Sequence, residues 1–145
     1  MGVFMNRRHF VGLSMFGAGA VMMLPKLILA GLPESPLAGG VFYTKDHPGR
    51  WIGKAGGHVP VIAVEKREGD VKIQVTTPHE MKGHEHYIIK HILLDQKYGF
   101  IQEKLFDPSK DKAAVSEFTL KDYSGPLYTL SLCNLHDLWL NMIEV

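Results

Sequence analysis

Val71-Lys72-Ile73-Gln74-Val75-Thr76 alternates apolar and polar side chains, the period of a strand with one buried face. Working outward, residues 59–65 form a second short run rich in β-branched side chains, and Lys66-Arg67-Glu68-Gly69-Asp70 joins the two. Such a pair across a Gly-containing turn reads as a β-hairpin. Residues 87–94 and 99–106 repeat the pattern across Asp95-Gln96-Lys97-Tyr98. Three more strands are expected at 113–120, 126–132 and 138–145, with Pro108, Gly125 and Pro126 as punctuation. No run outside the N-terminal segment shows sustained helical periodicity. The expected class is therefore all-β, a β-sandwich of about seven strands.

The chain has 145 residues, 46% hydrophobic and 21% charged, with a net charge of +1. That is enough for one domain with a real core, and the charge offers no argument for nucleic acid as a partner. The single cysteine excludes an internal disulfide framework and a four-cysteine zinc site. Residues 1–30 read as a targeting segment. Asn6-Arg7-Arg8-His9-Phe10-Val11 precedes an apolar run from Gly12 to Leu24, and the paired arginines with Phe10 resemble a twin-arginine export signal. The run stops at Pro25-Lys26, short of the ~20 residues that span a bilayer. Export to a periplasmic or other extracytoplasmic space is expected, with an uncleaved membrane anchor as the alternative. Ala30 and Ala38 each follow a short stretch that would suit cleavage. The Gly- and Pro-rich residues 31–40 read as a linker, and the folded domain, 41–145, is expected to begin near Val41.

Chemistry concentrates in Leu132-Cys133-Asn134-Leu135-His136-Asp137-Leu138-Trp139. A Cys-x-x-His step puts a thiolate and an imidazole on one turn, a natural spacing for two ligands of one metal ion. More histidines lie upstream: His58 after Gly56-Gly57, His79 after Thr77-Pro78, and His84 and His86 flanking Glu85. Loops at one end of a sandwich cluster in space, so His58, the 79–86 group and Cys133–His136 are expected to converge. Four imidazoles and one thiolate make a five-coordinate sphere with an open position. That is unlike a closed four-coordinate structural zinc site and suited to redox chemistry on a small ligand.

Four motifs in order, His58-Val59-Pro60-Val61-Ile62, Pro78-His79, His86-Tyr87-Ile88 and Cys133-Asn134-Leu135-His136-x-Leu138-Trp139, resemble the iron domain of superoxide reductases, the neelaredoxin and desulfoferrodoxin family. The resemblance spans about residues 53–139 and implies an immunoglobulin-like sandwich of the one-iron class. It implies one iron with His58, His79, His86 and His136 in the equatorial plane, Cys133 axial, and the sixth site open to superoxide. His84 is the alternative to His86, because the 79–86 interval is one residue longer than the family's usual spacing. His47 and His91 lack motif context, and His9 belongs to the signal. The implied reaction is one-electron reduction of superoxide to hydrogen peroxide. An external donor, a rubredoxin-like protein or a c-type cytochrome, would restore the electron, and homo-oligomers are common in the family.

Two positions depart from the family pattern. Gly56-Gly57 replaces the usual Glu-Lys pair before the first motif, leaving Lys54 as a candidate to steer superoxide. Asp137 stands where the family commonly has Gly. The missing pair keeps a second reading open, a non-catalytic iron-binding or electron-transfer module on the same fold. A cupredoxin-like copper site using Cys133, His136 and Met142 is a third, though it leaves His79 and His86 unexplained.

Overall fold

The computed structural model describes residues 34–145; the twin-arginine motif, His9, the candidate cleavage site at Ala30 and the start of the 31–40 stretch lie outside the described residues. Seven strands follow in order: β1 (Val61–Arg67), β2 (Asp70–Glu80), β3 (Ile88–Leu94), β4 (Phe100–Leu105), β5 (Ala113–Lys121), β6 (Pro126–Cys133) and β7 (Asp137–Glu144). Each falls on one of the seven expected runs. They form two antiparallel sheets, β1-β2-β5 and β4-β3-β6-β7, packed as an immunoglobulin-like sandwich. Gly69 closes the β1–β2 hairpin at φ +73, a conformation that costs glycine nothing.

The alternation read from the sequence is the burial pattern of the structure. In β2, Val71, Ile73, Val75 and Thr77 point inward while Lys72 and Gln74 face out. β5 alternates through all nine residues. Val71, Ile73, Val75, Leu93, Phe118, Leu120 and Leu127 form the main core between the sheets. A smaller cluster, Ile88, Phe106, Ala114 and Cys133, packs at one end. Between the two lies a buried polar layer. Thr77 Oγ1 bonds His91 Nε2 at 2.8 Å and Ser131 Oγ at 2.7 Å, and Ser116 Oγ bonds His91 Nδ1 at 2.8 Å. These hydroxyls satisfy an imidazole that has no solvent exposure and join strands of both sheets.

Two of the ladders break register beside that small cluster. The β2–β5 pairing shifts between Thr77 and Glu80, and the β3–β6 pairing between Ile88 and Lys90. Such bulges re-aim side chains, and the first frees His79 from strict alternation. Two short helical turns precede β1: a 3-10 turn at Gly49–Trp51 and α1, Ala55–His58. Gly56 and Gly57, directly before His58, thus belong to one helical turn, too short to show periodicity in the sequence. Gly49, at φ +48, backs onto the Gly39 carbonyl with no room for a Cβ. The described part of the 31–40 stretch forms turns on Leu37, whose carbonyl accepts from Gly40 N at 3.2 Å and Val41 N at 2.8 Å. Tyr43 then extends the β7 edge, donating to Leu138 O and accepting from Leu140 N, both at 2.8 Å.

Candidate metal centre

Five donors meet at one end of the sandwich. His58 ends α1, His79 sits on the bulged end of β2, His86 precedes β3, Cys133 ends β6 and His136 lies in the turn before β7. One ligand atom from each lies within 4.8 Å of all the others. His58 Nε2 is 3.0 Å from His136 Nδ1, which is 3.0 Å from His86 Nε2, which is 2.9 Å from His79 Nε2. Cys133 Sγ lies 3.6 Å from His136 Nδ1 and 3.7 Å from His79 Nε2. Adjacent ligands at right angles, each ~2.1 Å from a metal, would stand about 3 Å apart. The nitrogen spacings match that edge, so the donor set fits a single ion held by four imidazoles with a thiolate close to two of them.

The local electrostatics favour the ligand forms of the imidazoles. Burial is the leading cause that lowers the basicity of all four, with His58 pushed down to about 4. Neutral imidazoles present lone pairs, as metal binding requires. Burial pushes the Cys133 thiol up, against backbone N–H groups of Leu135 and His136 that favour the thiolate. A bound cation would supply the charge that deprotonates it. His58 Nδ1 donates to the Lys54 carbonyl at 2.8 Å, which fixes the tautomer that leaves Nε2 free.

Of the other histidines, His84 is exposed and outside the cluster. The reason is the loop's anchoring. Lys82 N donates to His86 O at 2.8 Å. Asn134 Oδ1 accepts from Tyr87 N at 2.9 Å, and Asn134 Nδ2 donates to Glu85 O at 3.1 Å. These bonds hold the 82–87 backbone so that His86 turns inward. His47 is exposed and His91 belongs to the buried polar layer. Met142 sits well along β7, opposite Tyr128, roughly 15–20 Å of strand away from the His136 turn at ~3.3 Å per residue. That removes the methionine from the cupredoxin-like set.

Lys54 is exposed at the start of α1, and its charge lowers the basicity of His86 and His136, so it lies near the cluster. Several contributors were not singled out from sequence. Asn134 pins the His86 loop; Trp139 is fully buried, donates Nε1 to His136 O at 2.8 Å and packs on His58; Trp51 meets the His136 ring edge-on. Asn134 and Trp139 sit inside a quoted motif, but nothing local to Trp51 signals that contact, whose partner is 85 positions away.

Fold and site together define a β-sandwich protein with a nitrogen-rich, single-thiolate donor cluster, able to hold a metal ion, at one end. The desulfoferrodoxin family profile matches residues 50–142, and the chain belongs to that family. Over 111 residues it is 35% identical to the superoxide reductases of Pyrococcus abyssi and Thermococcus kodakarensis, covering 67% of this chain and 92% of each relative. The solved superoxide reductase (neelaredoxin) of Ignicoccus hospitalis superposes with a TM-score of 0.61 at 28% identity, covering 77% of this chain and 98% of the other.

Proposed function

We propose that this protein is a superoxide reductase that converts superoxide to hydrogen peroxide at a single iron held by His58, His79, His86, His136 and Cys133. The observation that carries this is the convergence of four imidazoles and one thiol at ~3–4 Å spacings. Held by these five residues, an iron would supply the one electron that, with two protons, turns superoxide into hydrogen peroxide. The chain's residues prepare that step. Burial lowers the basicity of the imidazoles and so favours their lone-pair form, and the Lys54 carbonyl and Trp139 backing orient His58. The Cys133 thiolate donates electron density. The Lys54 ammonium attracts the superoxide anion in place of the absent family lysine. The electron is restored by an external donor, a rubredoxin-like protein or a c-type cytochrome. The Arg7-Arg8-His9-Phe10 motif supports an extracytoplasmic location after twin-arginine export.

The test is metal content and visible absorption of protein matured in iron-replete cells, followed by rapid mixing with superoxide. About one iron per chain, an oxidised-state band that bleaches on reduction and vanishes in Cys133→Ser, and peroxide formation on mixing are expected. Zinc or copper in place of iron would refute the assignment. One observation favours a second reading. Gly56-Gly57 in place of Glu-Lys suits a non-catalytic iron module, and iron with the expected band but no peroxide would establish it.

A further inference from the structure

Asp137 follows His136 directly and opens β7 with φ +62, a strained conformation that glycine would adopt freely. Such strain persists where surrounding contacts over-determine it, and here they are specific. Asp137 Oδ2 accepts from Arg50 Nη2 at 2.5 Å and from Trp51 Nε1 at 2.8 Å. The guanidinium lies 4.7 Å from the indole centroid. The indole in turn meets the His136 imidazole edge-on, with centroids 4.7 Å apart and planes at 86°. From Trp51 the chain continues straight to a second donor. Lys54 N donates to Trp51 O at 2.9 Å, and Lys54 O accepts from His58 Nδ1 at 2.8 Å. One carboxylate is therefore linked by two routes to two of the four converging imidazoles.

We infer that Asp137 is a positioning residue for the metal centre: by holding Arg50 and Trp51 it sets the indole against His136 and the Lys54 carbonyl against His58. This rests on reading the five-residue cluster as a metal site. Asp137 lies outside the cluster and acts through Trp51 and the backbone that follows it. Groups that orient metal ligands commonly change metal affinity ~10–100-fold when removed.

The test uses the full chain with Asp137→Asn, Asp137→Gly and Trp51→Phe. In metal-free and zinc-loaded protein, NMR reads the Trp51 indole N–H and the ring signals of His58 and His136. In iron-loaded protein, release to a chelator and the reduction potential are measured. Asp137→Asn and Trp51→Phe should both displace the His58 and His136 signals, move the potential and speed iron release about tenfold. Asp137→Gly should release iron as fast while unfolding no more easily than the native chain, because glycine relieves the strain. A merely structural tie would lower stability and leave the ring signals in place, which would overturn the inference. So would a potential that moves in Asp137→Asn alone, since Trp51→Phe alters no charge and the effect would then be the bare carboxylate. Should the native chain take up neither iron nor zinc, the metal reading falls. The ring signals of the metal-free protein then decide whether Asp137 positions the two imidazoles.

Discussion

Replacing His91 by Gln should flatten the acid limb of this protein's stability curve. His91 has no solvent exposure and sits in the polar layer between Thr77 and Ser116. Burial pushes its imidazole down to about 4 from an ordinary 6.5. Between those values the unfolded chain binds a proton that the folded chain refuses, so acid favours unfolding. The stability tied to neutral His91 is complete above the unfolded value. It is lost as the pH falls through that window, and the loss stops below the folded value. At ~1.4 kcal/mol per pH unit the window is worth about 3 kcal/mol. Gln offers a donor and an acceptor to the same hydroxyls but does not titrate. The assay is urea unfolding of both proteins in one metal-loaded preparation across a pH series. The four site histidines are common to both, so their titration cancels in the difference. The native-minus-variant stability should shrink by about 3 kcal/mol between neutral and acid conditions. Parallel curves would refute the reasoning, because His91 would then titrate alike in folded and unfolded chains.

His86→Ala should abolish stoichiometric iron binding while His84→Ala keeps it, read by metal analysis and the visible spectrum; the reverse would show that the loop anchored by Asn134 turns the other histidine inward. Lys54→Ala should slow the reaction with superoxide several-fold at low ionic strength and by less as salt rises, measured by pulse radiolysis, with iron content unchanged. Gly57→Lys should speed that reaction. A Cβ there meets only Pro78 O at 3.6 Å, an ordinary contact, and replacing a helical glycine adds up to ~1 kcal/mol, so thermal unfolding should move up rather than down.

Much of this protein was legible in order of residues because strands repeat every second position and report their own burial. Val71, Ile73 and Val75 face inward wherever the sheet is placed, since any register that buries one buries all three. The His and Cys donors were legible as a set for a related reason. Each flanks a strand run that is readable in the sequence, and a sandwich gathers the ends of such runs. What stayed hidden depends on contacts between distant segments. Whether His84 or His86 enters the site turns on hydrogen bonds from Asn134 about 50 positions away. That Gly56-Gly57 belongs to a helical turn was invisible because four residues carry no period. The role of Asp137 needed Arg50 and Trp51 beside it, 87 and 86 positions earlier. Periodicity is local physics and survives in the sequence alone. Which imidazole faces the centre, and what holds it there, is decided by side-chain geometry that exists only once the two sheets have closed.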